Sequence, residues 1–190
     1  MENLKVVLGI RDYPERKRFK EILRTMGVLV VGEGEEIRAL INLSSRVCPD
    51  LIILDEKLGV TKTLPYTKIF YESRLCPVIL YVEQLDWEYL EDFKKGPTLS
   101  LLVKPVTALS LMGAIYTALT NFNTYLELVT QKEDLEKRLE ERRLIDRAKA
   151  LLMRWENFTE DEAYHYLREE SRKHNISMGK VAIGIIEKYT

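Results

Sequence analysis

The placement of chain breakers constrains this sequence most. All six prolines lie at or before Pro105, and from Ala114 to Met178 there is neither a glycine nor a proline. Proline removes a backbone donor and clashes with the preceding turn, and glycine carries a large backbone entropy, so both interrupt helices. The chain therefore has two characters, a first part cut into short elements and a second part free to be helical. In the first part, short apolar runs ("KVVLGI", "VLVVG", "DLIILD", "CPVILYV", "LSLLVKP") alternate with amphipathic segments of helical length ("ERKRFKEILRTM", "EEIRALINLSS", "LPYTKIFYES", "DWEYLEDFKK"). Continuous apolar runs read as strands buried on both faces. Their alternation with helices predicts an α/β domain built on a five-stranded, doubly wound parallel sheet.

A last helix of that domain is expected to start near Thr107 and meets no breaker from Ala114 to Arg154. Leu128, Leu135 and Leu139 have heptad-like spacing with Tyr125 in phase, which suggests a short coiled coil and hence a homodimer. The other reading is a solvated helix leaning on its own domain. Beyond it the chain reads as a compact three-helix bundle. Leu144, Ala148, Leu151 and Trp155 form an inward stripe on the end of the long helix. "TEDE", Thr159 to Glu162, is a capping-box signature opening a second helix, with Ala163 and Leu167 inward. "HNIS" is a turn, and Met178, Val181, Ile185 and Tyr189 mark a third helix, in which Gly179 and Gly184 lower the helix propensity. The expected organisation is 1–120 for the α/β domain, 121–142 for a helical connector and 143–190 for the bundle.

Composition narrows the function classes. A net charge of -1 removes any bulk field for nucleic acid or membrane, so such binding must be local. Cys48 and Cys76 are too few for a disulfide framework. Both adjoin apolar runs and are expected to be buried thiols in a reducing cytoplasm. No apolar stretch reaches membrane-spanning length. His165 and His174 are isolated from other metal ligands, and no Gly-rich phosphate loop appears, so an enzyme is not expected and no cofactor is required. The aromatic cluster "YVEQLDWEYLEDF" reads as packing of a helix on the sheet.

Asp55 ends the run "PDLIILD", at the sheet edge where open α/β folds collect their chemistry, and reads either as a functional carboxylate or as a turn residue. With Lys104 and Pro105 after the fifth strand, this pattern resembles the receiver domain of response regulators, a flavodoxin-like fold. The resemblance implies that Asp55 is the phosphoacceptor and Lys104 the phosphate-pairing lysine, with Mg²⁺ required if Asp55 is phosphorylated. The sequence departs from that family at Ile10 and Arg11, which stand where a pair of acids is usual and leave Asp12 with Asp55 as the metal ligands. It departs again at Val82, in place of a hydroxyl residue, and at Leu101, in place of an aromatic. These losses point to a pseudo-receiver in which Arg11 pairs with Asp55 without any phosphate.

The segment from Leu144 to Ile186 resembles an ANTAR domain. The resemblance rests on Ile145, Ala148, Lys149, Leu152 and Met153, then Ala163, Tyr164, Leu167, Arg168 and Ser171, then Asn175, Val181 and Ala182, with Ala150 replacing the usual glycine. It implies a dimeric regulator that binds tandem stem-loops of nascent messenger RNA and prevents a terminator from forming, under a sensor kinase or regulatory protein. From Gln131 onward thirteen Lys/Arg balance thirteen Asp/Glu, so RNA binding must rest on placement. Lys149 and Arg168 match the family pattern, and Arg147, Arg154, Tyr164, Ser171, Arg172 and Lys173 complete the expected RNA-binding set. Each has a blander reading: Tyr164 as a half-buried helix contact, Ser171 and Asn175 as helix terminators, the arginines as i, i+4 partners of nearby acids. The rival function is a protein interaction switch in which the receiver-like domain binds a sensor or effector and the tail only dimerises. A DNA-binding regulator is disfavoured by the lack of a short basic recognition helix.

Overall fold

The five apolar runs form one parallel sheet in the order β2-β1-β3-β6-β7. The strands are β1 (Lys5–Gly9), β2 (Leu29–Gly34), β3 (Leu51–Asp55), β6 (Val78–Val82) and β7 (Ser100–Val103). This computed structural model describes residues 3–58, 61–85, 90–91 and 100–189. Helices α1 (Tyr13–Thr25), α2 (Ile37–Val47) and α3 (Leu64–Glu72) connect the strands, and a short antiparallel hairpin, β4 (Lys57–Leu58) and β5 (Thr61–Lys62), follows β3 directly. Strands of two residues leave no periodic signature, which is why the hairpin is not legible in the sequence. The helix expected over "DWEYLEDFKK", with its aromatic cluster, falls largely outside the described residues.

Because strand side chains alternate between faces, the sheet carries two cores. Val6, Leu8 and Ile53 join Phe19 and Leu23 of α1 on one face. On the other, Val7, Ile52 and Leu54 join Leu40 of α2 and Phe70 and Tyr71 of α3. Every residue of β3 and β6 is buried, as expected of central strands with both faces covered. Gly9 ends β1 where a Cβ would lie 2.6 Å from the side chains of Leu40 and Leu54, so this strand end packs tightly only as glycine.

Two compact units make up the chain, Met1–Glu127 and Leu128–Thr190. One continuous helix, α4 (Ala108–Trp155), contributes to both, and α5 (Glu160–His174) and α6 (Met178–Tyr189) complete the second. Thr107 and Ser110 start α4 reciprocally, the Ser110 N–H donating to Thr107 Oγ1 at 3.1 Å and the Thr107 N–H to Ser110 Oγ at 3.0 Å. The Thr159 capping box is present in both halves. Asn175 stops α5 in the left-handed region at φ 52°. Ala148, Leu152, Ala163, Leu167, Ala182 and Ile185 form the core of the second unit. Gly179 is more than a weak helix former. A Cβ there would meet Glu141 Cγ at 2.9 Å, and its amide donates to Glu141 Oε1 at 3.1 Å, so the start of α6 lies against α4 and is capped by it.

Three expectations need correction. Trp155 is 57% exposed, because the bundle core ends a turn earlier at Leu152 and the last residue of α4 projects past it. Tyr125 sits against Tyr71 with ring centroids 5.5 Å apart, so it belongs to the core of the first unit and not to a heptad seam. Of the two thiols only Cys76 is buried, and burial pushes its pKa up to about 12. Cys48 terminates α2 at φ 45° and is exposed.

Candidate functional site

In a doubly wound sheet the crevice at the C-terminal strand ends, where the strand order reverses, is the usual place for ligands. Here that point lies between β1 and β3. Asp55, the last residue of β3, is 6% exposed and in register with Tyr81 of β6. Lys104 follows β7 and donates its backbone N–H to Val82 O at 2.9 Å. Its ammonium lies 4.0 Å from Asp55 Oδ2, 3.6 Å from Glu83 Oε1 and 3.1 Å from Glu15 Oε2. The Tyr81 hydroxyl donates to Glu15 Oε1 at 3.1 Å, and the Lys104 ammonium stands 4.9 Å over the Tyr81 ring. The fold thus brings Asp55 and Lys104 together, and it adds Glu15 as the nearest partner of the lysine.

The electrostatics follow this ranking. Burial pushes the Asp55 carboxyl above its ordinary value; Lys104 opposes that shift, and Glu15 adds to it. Burial alone would lower the Lys104 ammonium, but Glu15, Asp55 and Glu83 outweigh it and the net shift is upward. A simple two-member ion pair would lower its acid. The distances resolve the discrepancy, since Lys104 belongs first to Glu15 and reaches Asp55 only at the edge of ion-pair range. Glu15 Oε2 is buried and accepts no well-aligned hydrogen bond, so the Lys104 charge is what compensates it.

The other residues expected here are deployed differently. Ile10 is fully buried in the core. Its carbonyl accepts from Arg16 Nη1 at 3.1 Å, and the same nitrogen lies 3.0 Å from Glu35 Oε1. The guanidinium built into the end of β1 is therefore that of Arg16. Arg11 is exposed and is not among the groups that set the charge of Asp55. Asp12 is the N-cap of α1, its Oδ2 accepting from the Glu15 N–H at 3.0 Å. Among the described residues no three His, Cys, Asp or Glu side chains form a group that could hold a metal ion. A divalent cation such as Mg²⁺ asks for several oxygen ligands, whereas an ammonium already stands between Glu15 and Asp55. The described donor set does not fit such an ion. Val82 is fully buried and Leu101 half-buried, so both positions present only hydrocarbon. Sequence reasoning missed Glu15 because its spacing from Asp12 is that of a capping box, which would direct its carboxylate back to the helix start.

In the second unit a groove is lined by Arg138, Glu141, Arg142, Ile145, Asp146 and Lys149 of α4, with Tyr164 of α5 across from them. The 4-3-4 spacing of Arg138, Arg142, Ile145 and Lys149 keeps these four on one face. Lys149 is already engaged, 2.8 Å from Glu160 Oε1 and 3.0 Å from Asp146 Oδ1, and these two carboxylates hold its ammonium above its ordinary value. It ties α4 to the first turn of α5. Tyr164 is 44% exposed, and Arg168 and Arg172 follow it at successive helical turns, both exposed. No ion pair of Arg138, Arg142, Arg168 or Arg172 occurs among the described residues.

The remaining members of the expected set divide. Arg147 is exposed but lies two residues from Lys149, a spacing that puts it on the far side of the helix. Arg154 lies over the Trp155 ring at 5.4 Å. Lys173 pairs with Glu170 at 3.2 Å. The Ser171 hydroxyl donates to Ile176 O across the α5–α6 turn, the terminating role open to it from sequence. Arg138 is absent from the expected set, although its spacing from Arg142 and Lys149 is a usable signal.

Comparison with known proteins accords with both halves. Residues 133–186 match the ANTAR domain family. Over 172 residues the chain is 27% identical to the transcriptional regulatory protein PdtaR of Mycobacterium tuberculosis (strain H37Rv), spanning 90% of this chain and 84% of that one. The signal receiver domain of a modulated diguanylate cyclase from Desulfovibrio desulfuricans G20 shares the fold of the first part. The match has a TM-score of 0.58 at 18% identity and covers 65% of this chain and 98% of that one. Chemotaxis protein CheY4 of Vibrio cholerae does likewise, with a TM-score of 0.55 at 18% identity over 61% of this chain and 98% of that one. No described helix is long and apolar enough to cross a membrane. The first unit thus shares the fold of receiver domains, the segment 133–186 of the second matches the ANTAR domain family, and the chain as a whole is similar to a transcriptional regulatory protein.

Proposed function

We propose that the protein is a homodimeric transcription antiterminator that binds stem-loop RNA in nascent transcripts through its ANTAR domain, controlled by an N-terminal pseudo-receiver. The observation that carries this reading is the groove between α4 and α5, in which arginines without ion-pair partners flank an exposed tyrosine. Cations at helical spacing track a phosphate backbone, and an exposed ring stacks on the unpaired bases that sequence-specific RNA readers select. Arg142 and Arg168 are the principal phosphate contacts in this reading; Lys149 holds the two helices in position. The receiver-like unit works without Mg²⁺ or phosphate, its switch lysine being held by Glu15. Its input is a protein partner.

Titration of the full chain with a tandem stem-loop RNA tests the first claim. Arg142→Ala and Arg168→Ala should each weaken binding and lower the slope of log affinity against log salt by roughly 0.7–1. Unchanged affinity and slope in both variants would remove the RNA reading. Titration with and without a small phosphodonor and Mg²⁺ tests the second, with equal affinity expected. A protein interaction switch is favoured by one feature of the first unit, the exposed stripe Leu109, Met112 and Tyr116 on α4. That reading gains if the RNA variants are silent while substitutions in this stripe abolish regulation.

A further inference from the structure

A second concave site lies in the ANTAR unit, apart from the α4–α5 groove. Its floor is Leu152 and Ile185, and its walls are Phe158, Tyr166 and Tyr189. The volume is about 160 Å³. This is below the roughly 300 Å³ at which pockets begin to hold drug-sized ligands, and it suits a single ring system. Phe158 and Tyr166 meet edge to face at 5.8 Å and 62° and brace each other. Tyr189 is fixed from the other side, its hydroxyl donating to Glu156 while Lys188 Nζ lies 2.9 Å from the same oxygen. The walls are held open by these contacts, and Tyr166 stays 39% exposed at the mouth.

We propose that this cavity takes one unpaired nucleobase from the loop of the bound RNA, an assignment that rests on the RNA-binding reading above. Aromatic walls offer stacking, which every base can use. The rim adds an acceptor and a cation, Glu156 for the N–H donors of a base edge and Lys188 for the adjoining phosphate. Lys188 Nζ lies 3.8 Å from Glu156 Oε1, so the cation and the acceptor stand side by side at the rim. Lys188 and Tyr189 lie just beyond the segment 133–186 that matches the ANTAR family.

The test uses the full chain and stem-loop RNAs selected by it from a pool with a randomised loop. 2-Aminopurine is placed at each loop position in turn. Stacking in the cavity should quench its fluorescence at one position, and Tyr166→Leu, which keeps apolar bulk but removes the ring, should abolish that quench. The same variant should weaken binding roughly 5- to 150-fold, the range for losing one base–aromatic stack. An abasic substitution at that position should weaken the wild type comparably and leave Tyr166→Leu nearly unaffected, which separates loss of the contact from loss of the fold. If wild type and Tyr166→Leu bind every selected RNA equally, the cavity proposal falls while the RNA reading stands. If the wild type selects no hairpin over unstructured RNA, both fall.

Discussion

At the scale of single residues, Glu15 organises the receiver-like site. Glu15→Ala leaves the partly buried Lys104 ammonium with only its weaker contacts and the Tyr81 hydroxyl without its acceptor. It should cost about 1–3 kcal/mol in urea unfolding. Asp55 behaves oppositely. Its folded pKa is raised, so as pH climbs past the unfolded value the native state binds more protons than the unfolded chain and stability falls. Above the folded value the penalty is complete, and below the unfolded value it is absent. Asp55→Asn should therefore raise the unfolding midpoint at neutral pH, and the gain should vanish in acid. Asp55 and Lys104 are legible in the sequence because their places at strand ends follow from the fold. Glu15 is not, since only the inward turn of α1 distinguishes it from a cap.

At the scale of elements, most of the architecture is written in the apolar periodicity and the breakers. Thr159 and Glu162 announce the start of α5, where the capping box forms. Thr159→Ala should cost about 1 kcal/mol in thermal unfolding. Gly179 shows what periodicity leaves out. Propensity alone makes alanine the better helix former by about 1 kcal/mol. The 2.9 Å approach to Glu141 reverses that sign. Gly179→Ala should destabilise the ANTAR unit by about 1–3 kcal/mol through overpacking and a weakened cap. A rise in the melting temperature of this variant would refute the account. Lys149 carries the same lesson. Its position matches a family pattern, but its partners, Asp146 and Glu160, come from two helices, and Glu160 is brought to it only by the α4–α5 turn.

For the whole molecule, the proposed seam on α4 would set the state of assembly. Leu128, Leu135 and Leu139 are all well exposed on one chain. They make a regular apolar row of the kind that a second copy covers in a coiled coil. Replacing Leu135 and Leu139 with glutamate should convert a dimer to a monomer in light scattering at micromolar concentration. Equal masses for variant and wild type would remove the seam from the account. The neutral charge of the second unit limits what long-range attraction contributes to the proposed RNA binding. The salt response should therefore follow the few arginines that lack carboxylate partners.

The Lys104–Glu15 contact also bears on how this regulator is studied genetically. Exchanging the acceptor aspartate of a receiver for glutamate is meant to imitate the phosphorylated, switched-on form by giving the lysine a longer anionic arm. In this protein the lysine already grips a glutamate from α1. If the first unit controls RNA binding as proposed, Asp55→Glu should leave the RNA affinity of the full chain unchanged, whereas Glu15→Ala should shift it.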